Sequence, residues 1–352
     1  MKIGFLALLR QGQIRDFYGR TRLKPKSFSG VLLGNIVSFN VNLTRRTKCL
    51  ILFLLRCPIR GVKDRLCLRA DSPKSNLDDS VLNMIEIRVG FIGAGNMTQA
   101  LVEGLLGSKR FSPGKIVAMD PAPAALSILA EHGVGTVESL DELVENCELV
   151  ILAVKPQVAE VVLSQISSLL TPGKIILSLM AGVTTEKIES FLCDGSIVIR
   201  CMPQTLVRLR MGSCAICPGV NASTSDMDIV CQFLELVGQV VKVQEDQMDA
   251  ITGLSGSGPA FVYTMIDALA DGGVREGLPR EVALKLAAQT MVGSAKMVLE
   301  GNMHPAELKK QVTSPGGTTI AGLNVIEGND INGTLMDAVA AAAQRSRELG
   351  NS

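Results

Sequence analysis

Tryptophan is absent, tyrosine occurs twice, and aromatic residues make up 3% of the 352 residues. A chain so poor in stacking side chains is badly equipped to read single-stranded nucleic acid. Histidine is as scarce: His132 and His304 are the whole supply. That leaves no histidine-rich metal site and little basis for a histidine general base; both are read as structural. The nine cysteines are odd in number and no secretory signal is visible, so free thiols in a reducing compartment are expected. Only Cys214-Ala215-Ile216-Cys217 has a metal-like or redox-like spacing. It falls in a strand pattern, where positions i and i+3 face opposite ways, so packing is its expected role.

Charge is short of acid at one end. Residues 1–83 carry 16 Lys and Arg against five Asp and no Glu; the totals of 35 basic and 34 acidic residues leave 19 and 29 for the rest. The body of the chain is therefore acidic, and neither a polyanion nor any other nucleic-acid partner is expected. The basic segment has the composition of a mitochondrial transit peptide. Its expected role is nevertheless a disordered extension outside the working protein, since Met84 lies just ahead of the first strand pattern; a targeting segment is the alternative. A cytoplasmic protein is expected, or a mitochondrial one if residues 1–83 are a targeting segment. The segment's longest apolar run, Cys49 to Leu55, is far too short to span a bilayer, and no membrane partner is expected.

What the chain has is 47% hydrophobic residues, arranged in alternating short apolar runs and helical periods. Strands are expected at 87–92, 115–119, 149–154, 174–179 and 196–201. They are near-continuously apolar, as strands buried on both faces are. Helical periods between them argue for a doubly wound parallel sheet. After Val243 the pattern becomes helical, with helices expected at 259–271, 280–299, 305–312, 319–326 and 334–348, and turns at Gly272-Gly273 and Gly277-Leu278-Pro279. Two domains follow, 84–243 and 244–352. The small face at Ala338 and Ala340–Ala343 should pack closely on another helix, in this chain or in a second subunit.

Arg88-Val89-Gly90-Phe91-Ile92-Gly93-Ala94-Gly95-Asn96-Met97 runs from a strand into a helix. Gly93 and Gly95 let a backbone approach a pyrophosphate at that helix's N-terminus, and Thr98 stands where a third Gly or Ala is usual. Asp120, about 25 residues past Gly95 at the end of the next strand, is placed to take ribose hydroxyls and to repel a 2′-phosphate. NADH is then preferred over NADPH, unless Asp120 simply caps the helix after Pro121. Ala153-Val154-Lys155-Pro156 and Leu179-Met180-Ala181-Gly182 end two further strands, at the sheet edge where such ligands bind; the second has room for a nicotinamide ring. Far downstream, Ser314-Pro315-Gly316-Gly317-Thr318-Thr319 reads as a loop entering a helix, whose free N–H groups favour a small carboxylate.

These residues resemble the pyrroline-5-carboxylate reductases. The resemblance rests on Gly90–Met97, Ala153-Val154-Lys155-Pro156-Gln157, Ala181-Gly182-Val183, Thr252-Gly253-Leu254-Ser255-Gly256-Ser257-Gly258-Pro259-Ala260, Asp267–Gly273 and Ser314–Thr319. It covers 84–349 and none of 1–83. It implies an N-terminal Rossmann domain, an all-α C-terminal domain that interlocks two subunits, and dimers that assemble into decamers. The implied reaction reduces 1-pyrroline-5-carboxylate to L-proline with a hydride from NAD(P)H, the last step of proline biosynthesis. The substrate carboxylate would meet Gly316, Gly317, Thr318 and Thr319, with Thr318 and Thr319 as catalytic candidates and Glu245 as a further substrate contact. Gly90, Ile92, Gly93, Ala94, Gly95, Asn96, Met97, Asp120, Ala153, Val154, Lys155, Pro156, Leu179, Met180, Ala181 and Gln311 would meet the cofactor. No metal is implied. Thr319 is the candidate proton relay; a helix N-cap is its alternative role.

The run Met202-Pro203-Gln204-Thr205-Leu206-Val207-Arg208-Leu209-Arg210-Met211 departs from the family pattern. Gln204 replaces Asn, Leu206 replaces Pro, and Arg210 stands where Gly is usual, in a loop expected near the cofactor. Two other readings stay open. Hydroxyacid or imine reductases share the first domain and use a helical lysine, for which Lys285 and Lys296 qualify. A cofactor-binding oligomer without turnover is the non-enzymatic one.

Overall fold

The computed structural model describes residues 87–301 and 303–350. Ser29–Gly30 and Phe39–Asn40 are also described, as a two-residue antiparallel ladder. What the sequence suggests for the rest of 1–83 lies outside the described residues. The chain divides into Met1–Asn76 and Leu77–Ser352, and the second unit holds everything below.

Its strands are β1 Val89–Ile92, β2 Ile116–Met119, β3 Gly135–Thr136, β4 Leu149–Leu152, β5 Ile175–Ser178, β6 Ile197–Met202, β7 Gly212–Pro218 and β8 Gly238–Lys242. They form one sheet in the order β8-β7-β6-β5-β4-β1-β2-β3. From β3 to β6 all pairs are parallel; β7 pairs antiparallel with β6, and β8 runs parallel to β7. The order β3-β2-β1-β4-β5-β6 is that of a doubly wound dinucleotide fold, with its switch point between β1 and β4. The antiparallel pair at the far edge is an addition that apolar periodicity alone does not disclose.

β1, β4 and β5 are buried along their whole length. Alternate residues feed two cores. Phe91, Ile151, Leu177 and Cys201 meet α1 (Asn96–Gly107) and α6 (Thr224–Glu235); Ile92, Val150, Ile176 and Val198 meet α3 (Leu140–Asn146) and α4 (Ala159–Ser167). α2 is Pro123–Glu131 and α5 is Thr185–Glu189. Cys214 belongs to the first core, whereas Cys217 packs with Met202, Ala215 and Met248 in a third cluster. The pair therefore faces opposite ways, as its spacing requires.

The helical part follows as α7 (Met248–Ile251), a π-helical turn at Thr252–Gly256, α8 (Gly258–Arg275), α9 (Arg280–Gly301), α10 (Pro305–Gln311), α11 (Thr318–Gly328) and α12 (Ile331–Gly350). Gly272-Gly273 is no turn: α8 runs through it. A Cβ on Gly273 would lie 3.2 Å from Ala283 of α9 and 3.3 Å from Leu278, so this glycine serves a close crossing. The helix ends at Arg275, and Gly277, φ +97°, turns the chain ahead of Pro279. The small face of α12 finds a partner within the chain, because a Cβ on Gly253 would meet the Val339 carbonyl at 2.5 Å and Ala343 at 3.0 Å. α8 and α9 instead leave Val262, Leu269, Leu284, Leu286, Met297 and Leu299 exposed. By length and composition alone, α9 could also cross a membrane.

Candidate active site

The turn between β1 and α1 is built by backbone. Gly93 has φ +105°, and a Cβ there would stand 2.6 Å from the Ala153 carbonyl oxygen. Its N–H donates to the Met119 carbonyl at 2.8 Å, and Ala153 N–H donates to Ile92 at 2.9 Å. Two consecutive residues, Ile92 and Gly93, thus tie β1 to β4 and β2 at the switch point. Thr98 is fully buried and donates its hydroxyl to the Gly93 carbonyl at 2.6 Å, so the side chain in place of a third glycine locks the turn. Gly95 has open space where its Cβ would be. It precedes α1 without any side-chain cap, which leaves first-turn N–H groups free for an anion. Gly95 and Asn96 are exposed, and Met97 is half-buried.

Asp120 holds the rim of this turn. Its carboxylate accepts from Ala94 N–H at 2.7 Å and from Ala122 N–H at 2.8 Å. Both oxygens are fixed; the second bond is a local turn ahead of the helix at Pro123–Glu131, whose cap is Ala122 with no side-chain cap bond, so Asp120 does not cap that helix. Ala153, Val154 and Pro156 are half-buried at the end of β4 and Lys155 is exposed. Leu179, Met180 and Ala181 follow β5, with Met180 buried. Gly90 and Ile92 lie inside β1. A Cβ on Gly90 would stand 2.5 Å from Leu143 and 3.0 Å from the Cys147 sulfur. Its place is beneath α3, which makes it a packing glycine.

At the same sheet edge, Glu245 closes an internal polar cluster. Arg200, 1% exposed on β6, pairs through Nη1 with Glu245 Oε1. The other Glu245 oxygen accepts from the Thr185 hydroxyl at 2.8 Å, the Thr185 N–H at 3.2 Å and the Cys217 thiol at 3.4 Å. Arg200 Nη2 is 4.0 Å from Asp249, which accepts the Ser346 hydroxyl at 2.6 Å. Burial pushes the Glu245 carboxyl up, but Thr185 and Arg200 together outweigh it and hold it below the ordinary glutamate value. Burial, with Glu245 beside it, pushes the Cys217 thiol up to about 12, so that thiol is no nucleophile. Arg200 escaped the sequence reading; its one signal is a lone charge within Ile197-Val198-Ile199-Arg200-Cys201-Met202.

The Ser314–Thr319 loop stands apart. Gly316 has φ +69° and Gly317 N–H donates to the Ser314 carbonyl at 3.1 Å. Gly317 is the cap of α11, with no side-chain cap bond and no acid in the first turn. Thr319 is therefore not the N-cap; it is the second helical residue, and Thr318 the first. Gln311 ends α10, exposed, with its amide 3.3 Å from the Met303 sulfur. α10 packs chiefly on α9, and α11 on α12. Among the described residues, no hydrogen bond or ion pair joins this loop or Gln311 to the nucleotide turn or to Glu245.

A protein from Methanosarcina acetivorans named pyrroline-5-carboxylate reductase is 43% identical over 264 residues, 75% of this chain and 98% of the relative. The chain belongs to the pyrroline-5-carboxylate reductase family. A Glycine max protein of the same name is 42% identical over 74% of the chain and 95% of its own length. The crystal structure of Plasmodium falciparum pyrroline carboxylate reductase with NADP bound superposes with a TM-score of 0.69 at 32% identity, over 76% of this chain and 99% of that one. A family model described as pyrroline-5-carboxylate reductase dimerisation matches residues 245–349, and one described as NADP oxidoreductase, coenzyme F420-dependent, matches 88–182.

In this member of the family the unusual loop packs on α1. Thr205–Leu209 is a 3-10 turn whose Val207 carbonyl would lie 2.2 Å from a Cβ on Gly104. Arg208 bridges to Glu103 of α1 at 2.8 Å. Arg210 sits at φ +56°, the left-handed region where glycine is cheaper. Gln204 is buried, and its Oε1 has no hydrogen-bond partner. Lys285 and Lys296 are exposed on α9.

Proposed function

We propose that the protein reduces 1-pyrroline-5-carboxylate to L-proline with NAD(P)H, the last step of proline biosynthesis. The observation that carries this reading is the pairing of an open nucleotide turn at Gly93–Asn96 with an uncapped, acid-free helix start at Gly317–Thr319 in a member of this family. When bound, the cofactor supplies the hydride for the imine carbon. The chain's residues bind, orient and protonate. The first-turn N–H groups of α1 take the pyrophosphate, and the ends of β4 and β5 border the nicotinamide. The N–H groups of Gly316, Thr318 and Thr319 take the substrate carboxylate beside Gly317, and the Thr319 hydroxyl delivers a proton to the ring nitrogen. Holding imine carbon against hydride donor supplies most of the rate, and the balanced step needs only that hydride and that proton.

The Ser314–Thr319 loop does not reach the nucleotide turn of its own chain, and α8 and α9 expose apolar faces. A second copy that covers those faces completes the site by lending its loop and Gln311. Such dimers associate further into decamers. No nucleic acid or membrane enters this reading. We place the protein in the cytoplasm; a fluorescent fusion of the whole chain that collects in mitochondria overturns that placement.

Asp120 sets the cofactor. Its fixed carboxylate faces the place of the adenosine ribose, and Pro121, Ala122 and Pro123 beside it offer no cation for a 2′-phosphate. NADH is thus preferred, in contrast to the NADP bound by the Plasmodium falciparum relative. The decisive assay supplies pyrroline-5-carboxylate with each cofactor and measures proline. No proline overturns the function. Proline formed equally well with NADPH overturns the preference alone.

A further inference from the structure

The 180–185 loop, which leaves β5 at the sheet edge and ends on Thr185, the first residue of α5, is fastened at two points by one turn of α12. At the first, Gly182 has φ +77° and lies directly under helix backbone. A Cβ on it would stand 2.7 Å from the Ser346 carbonyl oxygen and 2.8 Å from the Gly350 nitrogen, and a Cβ on Gly350 would stand 2.2 Å from the Gly182 carbonyl oxygen. No side chain fits between them. At the second, the Ser346 hydroxyl binds Asp249, Asp249 faces Arg200, Arg200 pairs with Glu245, and Glu245 takes both the amide and the hydroxyl of Thr185. Both routes start from the last turn of a helix in the dimerisation region and end on one loop. α12 already packs through Ala343 on Gly253, so this last turn is not needed merely to seat the helix.

We propose that the last turn of α12, through Ser346 and Gly350, is a positioning element that sets the 180–185 loop for the cofactor. It thereby links the dimerisation helices to cofactor affinity. Ser346 and Gly350 are positioning residues: they touch the loop or its supports, not the reacting atoms. The proposal rests on the reading that Ala181 borders the nicotinamide.

NADPH and NADH affinity is measured by fluorescence titration on the full chain, where the absence of tryptophan leaves the cofactor signal clear. Three changed proteins are compared: Gly350→Ala, which forces the contact apart; removal of residues 350–352, which relieves it without a clash; and Ala181→Leu, which crowds the loop itself. Gly350→Ala and the shortened chain are each expected to weaken cofactor binding by about fivefold or more, the lower range of measured site-to-site couplings. At saturating cofactor, kcat should stay within about twofold, since binding rather than transition-state stabilisation is lost, and the dimer should persist. Wild-type affinity in the shortened chain, with weakened binding in Ala181→Leu, overturns the positioning role alone. Unchanged affinity in Ala181→Leu overturns the underlying reading of the loop and the proposal with it. Loss of affinity only where the dimer is also lost overturns the proposal too. If Gly350→Ala does not fold, the shortened chain decides.

Discussion

Arg200 and Glu245, 45 positions apart in the chain, meet as an ion pair at the C-terminal edge of the sheet. Arg200 is sealed from solvent, whereas the Glu245 side chain keeps 31% of its surface exposed. Arg200 Nε and Nη2 have no hydrogen-bond partner, so this one carboxylate is the main compensation for a buried cation. Removing either member therefore has unequal consequences.

Changing Glu245 to Gln leaves the buried guanidinium only the more distant Asp249, 4.0 Å away, as counter-charge, and should lower stability by about 3 kcal/mol. Changing Arg200 to Met removes the buried charge itself and leaves a carboxylate still bound by Thr185 and reached by water; about 1–2 kcal/mol is expected there. Denaturant unfolding at one fixed subunit concentration gives both values. A larger loss for Arg200→Met than for Glu245→Gln would contradict the asymmetry.

The same pair gives a dependence on pH. The folded Glu245 carboxyl titrates below its ordinary value of 4.5, so the unfolded chain takes up this proton more readily. The contribution is complete above the ordinary carboxylate range and disappears as the pH falls through the lowered folded value. The stability gap between wild type and Glu245→Gln should be flat from about pH 6 to 8 and narrow only below about pH 4.5. A gap that widens toward acid would reverse the sign and refute the assignment.

The nucleotide turn was legible because its glycines obey a short-range rule: Gly93 needs a positive φ and Gly95 needs open space, and both lie within one turn of chain. The buried strands were legible for the same reason, as continuous apolar runs. The Arg200–Glu245 pair was not, because only strand order brings β6 to the start of the helical part. Gly272-Gly273 misled because glycine signals a turn and a close helix crossing alike, and only Ala283 across the gap distinguishes them. Thr319 suggested an N-cap by residue type, yet the cap is Gly317, which has no side chain to announce it.

Gly93 and Gly90 test whether place or residue type decides. Gly93→Ala would force a methyl into the Ala153 carbonyl at a strained φ, and should weaken cofactor binding by at least about tenfold, or 1.4 kcal/mol. Gly90→Ala meets only Leu143 and Cys147, and should cost about 1–3 kcal/mol of stability through overpacking while cofactor affinity stays near wild type. Titration and unfolding of both proteins separate the effects. Equal loss of cofactor affinity in the two would show that Gly90 is a cofactor contact after all.

Arg210 carries a backbone cost that glycine would relieve. A non-glycine residue in the left-handed region is disfavoured by about 1–2 kcal/mol, and part of the gain from glycine is returned to the freer unfolded chain. Arg210→Gly should therefore stabilise the protein by about 0.5–1 kcal/mol, read as a higher denaturant midpoint with an unchanged slope. Destabilisation would mean that the arginine side chain makes a contact that outweighs its strain.

Thr319 separates chemistry from binding at the other end of the site. As the second residue of α11, it offers a backbone N–H that survives substitution and a hydroxyl that does not. If the hydroxyl delivers the proton to the ring nitrogen, Thr319→Ala should lower kcat by about 100-fold, the lower range for a positioned proton donor. Cofactor affinity should stay near wild type, because the nucleotide turn lies on a different element. Thr318→Ala keeps its N–H too and should mainly raise KM for pyrroline-5-carboxylate. Single-turnover rates at saturating cofactor make the distinction, since they exclude product release. A Thr319→Ala protein that turns over at the wild-type rate would assign the proton to water and leave the α11 N-terminus with carboxylate binding alone.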